Sequence, residues 1–95
     1  MAVVLWTPGA EQDLVEILAY YLREAGESVA RSIFHRIRAE VEALKDFPER
    51  TRVGRVAGTR ELVIARLPYV AVIQVEGERV LVLNVIHTAR KFPPQ

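Results

Sequence analysis

Apolar residues recur at helical spacing through the first half of the chain and alternate or run together through the second, so helices are expected first and strands afterwards. AVVLW at 2–6 is a short β-rich run stopped by TPG, in which Thr7 reads as an N-cap and Pro8 as the first helical residue. Ala10, Leu14, Ile17, Leu18 and Tyr21 then fall on one face until Gly26, which predicts a helix over roughly residues 8–25. Ser28 offers a second N-cap, and Ala30, Ile33, Phe34, Ile37, Val41 and Leu44 form a stripe that Phe47 and Pro48 end. So short a connection makes the two helices an antiparallel hairpin.

PERTRVGRVAGTRE follows without a clear period and reads as a connecting loop from 48 to about 59. ELVIARL, YVAVIQVE and RVLVLNVIH are three β-rich runs separated by Pro68 and by the turn EGE at 76–78, which predicts an antiparallel meander. Strict alternation sets Tyr69, Ala71, Ile73 and Val75 against Val70, Val72, Gln74 and Glu76, and sets Val80, Val82 and Ile86 against Leu81, Leu83 and Val85. Both faces are therefore largely apolar, and one helical hairpin covers only one of them. The N-terminal strand, the tail or a protein partner must cover the other. The expected fold is α+β, in the order β-α-α-β-β-β: an N-terminal strand and a helical hairpin packed on a mainly antiparallel sheet of about four strands.

Composition narrows the chemistry. At 95 residues with 51% hydrophobic content, the chain is expected to form a single domain, 1–95, with one core. No apolar run approaches the ~20 residues of a membrane span and no leader pattern opens the chain, so a cytoplasmic protein is expected. With no cysteine and only His35 and His87 as histidines, neither a disulfide framework nor a metal centre is expected, and no cofactor is implied. A net charge of +1 argues against direct, stable nucleic-acid binding by the chain alone. The charges are nonetheless segregated, with Glu11, Asp13, Glu16, Glu24 and Glu27 in or just after the first helix and arginines concentrated from Arg31 to Arg66.

The order of these segments, with GTRELV at 58–63, PYVAVIQVEGERV at 68–80, VLNVIHTARKF at 82–92 and W-T-P-x-A-x-x-D-L near the start, resembles the RelE/ParE superfamily of bacterial toxins over nearly the whole chain. That resemblance implies a type II toxin neutralised by a cognate antitoxin encoded beside it. One branch of the superfamily cleaves messenger RNA on the ribosome and the other inhibits DNA gyrase. Cleavage by a ribose 2′-hydroxyl needs a base, a cation on the phosphate and an acid for the leaving oxygen. RelE-like toxins resemble one another in placing an arginine just after the aromatic of the third strand, and usually a tyrosine or further basic groups in the tail. Here the first place holds Val70, which can neither donate a hydrogen bond nor carry charge, and in the tail, RKFPPQ, Phe92 lacks the hydroxyl that a tyrosine would supply.

The resemblance therefore implies the ParE-like branch: a gyrase inhibitor that is not an enzyme, with a ParD-like antitoxin as partner and Arg60, Arg90 and Lys91 as target-binding residues. The alternatives are a ribosome-dependent endonuclease using Arg60, His87 and Arg90, or an inactive relative that only binds its antitoxin. His87 reads as a strand-end fixture bonded to backbone, because the sequence shows no partner that would position a general acid. Arg60 opens an apolar strand and is expected to pair with an acid near Glu61 or on the first helix. Arg50, Arg52 and Arg55 read as a solvated loop, His35 and Arg36 as solvated helix positions, and Trp6, Tyr20 and Tyr21 as core packing.

Overall fold

The computed structural model describes residues 2–89. β1 (Val3–Trp6) leads into α1 (Pro8–Glu24) and α2 (Glu27–Glu42), and two single 3₁₀ turns (Ala43–Lys45 and Pro48–Arg50) carry the chain to β2 (Arg52–Val53), β3 (Arg60–Val63), β4 (Tyr69–Glu76) and β5 (Arg79–His87). Thr7 caps α1 as its sequence predicts: its side chain accepts the Ala10 N–H, and Pro8 follows it where a missing N–H costs nothing. α2 starts differently. Gly26, not Ser28, holds the cap position at φ 91°, and no side chain bonds the first turn. The chain must reverse within two residues of α1, and a glycine takes that left-handed conformation without a Cβ penalty.

The sheet has five strands in the order β1-β5-β4-β3-β2. β5-β4, β4-β3 and β3-β2 are antiparallel, whereas β1 runs parallel to β5 with Val4 opposite Val80 and Trp6 opposite Val82. The fifth strand, β2, lies inside the stretch that its sequence marks as loop. Two residues carry no period, and they are extended only because Arg52 and Val53 pair with Glu61 and Arg60.

One face of the sheet receives both helices. Ala10, Leu14 and Ile17 of α1 and Ile37 and Val41 of α2 pack with Leu62, Tyr69, Ala71, Ile73, Val80, Val82 and Val85 in one continuous core. On the opposite face Val70, Val72 and Ile86 form a second, smaller buried cluster with Leu83 against it. Both faces are thus apolar, as their parity predicts, but the parity itself breaks inside β5. A β-bulge interrupts the register between Val72 and Ile73, so that Ile73 lies opposite Val82 and Val72 opposite Asn84, with Leu83 as the extra residue. Beyond it the two faces exchange. Val85 joins the main core and Ile86 the small cluster, the reverse of strict alternation, because a single inserted residue inverts every side chain that follows.

Candidate functional site

The bulge leaves backbone groups out of the ladder, and the start of α1 takes them up. Thr7 Oγ1 donates to the Leu83 carbonyl at 3.1 Å while accepting from Ala10, and Asp13 Oδ2 accepts the Val85 N–H at 2.8 Å and the Asn84 side-chain amide at 3.2 Å. Ala10 and Leu14, between and beyond them on the same helix, are wholly buried against the sheet. The W-T-P-x-A-x-x-D-L pattern therefore has a physical content: its threonine and aspartate satisfy the bulge, and its alanine and leucine let the helix lie close to it.

Past the bulge, His87 stands opposite Tyr69 on the helix side of the sheet, their rings 5.5 Å apart and nearly perpendicular. The histidine is exposed, and its Nδ1 accepts the Ala89 N–H at 3.0 Å. That bond is the strand-end role expected of it. Tyr69 itself is buried. Burial first, and then the neighbouring Tyr21 hydroxyl, push its phenol well above the ordinary value of 10, so it remains a neutral hydroxyl. Asp13, Glu16, Tyr20, Tyr21, Tyr69 and His87 line a cleft of about 380 Å³ between α1 and the end of the sheet. Trp6 and Tyr21 pack against the core as expected, but Tyr20 does not: it is 48% exposed and forms a wall of this cleft.

Arg60 lies elsewhere. It is opposite Ile73, four residues along β4 from Tyr69, and β3 is two strands from β5. At about 3.3 Å per residue and 4.8 Å per strand, that separates its Cα from that of His87 by roughly 16 Å. Its guanidinium binds neither Glu61 nor helix one among the described residues; it donates to Thr51 Oγ1 at 2.7 Å and to the Thr51 carbonyl at 2.8 Å, tying β3 to the approach of β2. The carboxylate at Glu61 has other partners. Arg52 and Arg55 reach it at 3.1 Å each, the Arg55 backbone N–H adds a third bond at 3.0 Å, and the side chain is 2% exposed. Burial pushes this carboxyl up, but the hydrogen bonds from Arg55 and Arg52 together outweigh it and hold it below its ordinary 4.5. These two arginines are thus a clamp rather than a solvated loop, while Arg50 stacks over Phe47 at 5.0 Å. Arg36 is likewise engaged, donating to the Ala65 carbonyl at 2.7 Å, and Glu40 one turn later accepts the Ala65 N–H at 3.2 Å.

Arg60 and His87 are therefore not brought together, and the expected positions Arg90 and Lys91 lie outside the described residues. Val70, in the place where the RNA-cleaving branch would supply an arginine, is buried in the small cluster on the face away from His87. Asp13 and Tyr69, which organise the sheet end, stand in quoted motifs, W-T-P-x-A-x-x-D-L and PYVAVIQVEGERV, but what they meet there is not legible from the sequence, because a bulge has no period.

Over residues 4–92 the chain matches the family described as ParE toxin of type II toxin-antitoxin system, parDE. The chain belongs to the ParE toxin family. Among curated proteins, the "Putative toxin Y4kP" of Sinorhizobium fredii (strain NBRC 101917 / NGR234) is 36% identical to this ParE toxin over 90 residues, which are 95% of this chain and 92% of that protein. Among solved structures, one described as the chromosomal ParDE TA system from P. aeruginosa aligns with a TM-score of 0.86 at 27% identity, covering 92% of this chain and 96% of that one. The helical hairpin, the meander and the parallel N-terminal strand are thus the architecture of a type II toxin. No helix among the described residues of this ParE toxin is long and apolar enough to cross a membrane, and no group of three or more metal-ligating side chains occurs among them.

Proposed function

We propose that this ParE toxin acts in the cytoplasm by binding DNA gyrase, performs no bond-making chemistry of its own, and is neutralised by a cognate ParD-like antitoxin encoded beside it. The observation that supports the mechanistic half is the dispersal of the groups an RNA-cleaving relative would gather. Arg60 is spent on Thr51, His87 is turned to its own strand-end backbone, and the two are two strands and four residues apart. General acid–base cleavage needs a base, an acid and a phosphate-holding cation within hydrogen-bond reach of one reacting centre. A binding toxin needs only a surface. In this reading Arg90 and Lys91, which follow directly on His87 and Ala89, contribute cations to the contact with gyrase, and Arg60 contributes by fixing the β2 edge through Thr51.

Purified toxin is expected to block supercoiling of a relaxed plasmid by gyrase and to leave ribosome-bound messenger intact. Alanine at both Arg90 and Lys91 should weaken the block. Messenger cut within its codons, with gyrase unaffected at the same toxin concentration, would transfer the chain to the endonuclease reading. If neither gyrase nor messenger responds while the antitoxin still binds, the chain is an inactive relative.

A further inference from the structure

We propose that Arg66, in the turn between β3 and β4, is a residue through which this toxin contacts its protein target, and that it takes a carboxylate on that target's surface. The residue stands out by its backbone. Among the described residues it is the one non-glycine with a positive φ, 64°. The turn runs from Ile64 to Leu67, closed by the Leu67 N–H on the Ile64 carbonyl at 3.3 Å, and Arg66 is its third residue. A positive φ there and not at Ala65 is the geometry of a type II turn, whose third place favours glycine or asparagine.

Helix α2 imposes that geometry from the side. Type I and type II turns differ by a flip of the central peptide, whose oxygen here belongs to Ala65. Arg36 donates to that oxygen at 2.7 Å, and Glu40, one turn further along α2, accepts the Ala65 N–H at 3.2 Å. Ala65 is thus gripped by both of its polar backbone groups, and the strain falls on the residue after it. Glycine at position 66 would relieve it. The arginine adds nothing to the fold that offsets the strain: it is exposed, and no hydrogen bond, ion pair or ring contact of its side chain occurs among the described residues. A turn held in this way presents its side chain with few backbone states left to lose on binding.

The surroundings suit a protein surface. The Thr88 N–H donates to the Pro68 carbonyl at 2.9 Å, which fastens the segment after the turn to the end of β5, and in sequence Arg90 and Lys91 follow within three residues. Arg66 therefore adds a cation at the sheet end from which the tail departs. Its neighbours in the chain are apolar, with Val63 48% exposed and Leu67 and Pro68 half-buried. A guanidinium among apolar atoms takes a carboxylate through two parallel N–H bonds, and the pair strengthens as water is excluded around it. Nucleic acid is the poorer fit, because the net charge is only +1 and Glu40 holds the same turn. The proposal rests on the reading that this toxin works by binding a target protein. It does not depend on that target being gyrase.

The test compares Arg66→Gly, Arg66→Asn and Arg66→Lys with the parent in thermal unfolding, in the toxin concentration that halves gyrase supercoiling, and in growth arrest at matched toxin levels. Glycine and asparagine both accept a positive φ, so these two variants should unfold at or above the parental temperature. Both should nonetheless need at least about tenfold more toxin for half-inhibition and should arrest growth less. Lysine keeps the charge without the planar fork and should fall between, about three- to fivefold weaker than the parent. Parental potency in the glycine and asparagine variants would make Arg66 an ordinary turn residue and overturn the assignment. A loss in the glycine variant alone would point to the stiffness of the turn, and a lower unfolding temperature in both to a structural role; either result overturns it. A parent that retards linear DNA in a gel without gyrase, where Arg66→Asn does not, would move the ligand to phosphate and overturn the carboxylate. If the parent arrests growth without inhibiting gyrase, the gyrase reading fails, and growth arrest across the same series still decides on Arg66. A parent that does neither has no target to meet and overturns both.

Discussion

Glu61 shows how far a single residue can depart from what its neighbours in sequence suggest. A carboxylate in the middle of an apolar run would be costly there without compensation, and its burial is tolerated because Arg52 and Arg55 come back over it from the β2 side. Glu61→Gln should therefore cost about 1–3 kcal/mol at neutral pH, discounted from a fully buried pair because both arginines remain partly in water. The pH dependence has a definite sign. The folded-state pKa lies below the ordinary 4.5, so this contribution is complete above about pH 4.5 and is lost as the pH falls through the depressed folded value. Chemical denaturation across that range should show the loss in the parent protein and a flatter profile in the Gln variant. His87 makes the opposite point. Its Nδ1 bond to Ala89 is a role that glutamine can partly replace, so His87→Gln should keep most toxicity in a growth assay, and complete loss in a folded variant would restore a proton-transfer role. The strand-end position of His87 was legible from its place after RVLVLNVI, whereas the partner of Arg60 was not: Thr51 is nine residues away across a turn that no local pattern announces.

Among the elements, those with many repeats of one period were legible and those defined by a single pairing were not. α1, α2, β4 and β5 each carry several apolar positions in register with their own geometry, and their bounds fall close to the expected ones. β2 has two residues, and the bulge in β5 has one; both exist because of what lies opposite them. Their dependence on tertiary partners makes them the places where small changes should act. Gly54 follows β2 at the start of the tight connection to β3, where an added Cβ would stand 2.8 Å from the Thr59 backbone. Gly54→Ala must therefore open the connection, with an expected loss of about 1–3 kcal/mol and of the β2 pairing, visible as faster amide exchange at residues 52 and 53. Asp13→Ala should cost a similar ~1–3 kcal/mol by stranding the Val85 N–H, and it should disturb the end of β5 without moving α2.

At the scale of the molecule, the two sheet edges are unlike each other, and that difference decides where an incoming chain can add. β2 is two residues long and carries Arg52, already committed to Glu61, so it is a blunted edge. β1 is longer and apolar, with Val3 54% and Leu5 40% exposed on the face that also holds Leu83 and the small buried cluster. On its inner side the Val3 N–H goes to the carbonyl of Glu78, just before β5, and the Thr7 N–H to that of Val82, so alternation turns the Val4 and Trp6 amides outward, beyond the point where the Ala2 N–H meets the Lys45 carbonyl. An antitoxin segment that folds on binding would find hydrogen-bonding groups and apolar surface together along β1, and a further apolar surface on α1 at Val15 and Leu22. Addition of the cognate antitoxin should therefore slow hydrogen exchange at Val4 and Trp6 and along α1 far more than at residues 52 and 53 of β2. Exchange at β1 and α1 that is the same with and without antitoxin would rule out neutralisation through these surfaces, and protection confined to β2 would move the contact to the opposite edge.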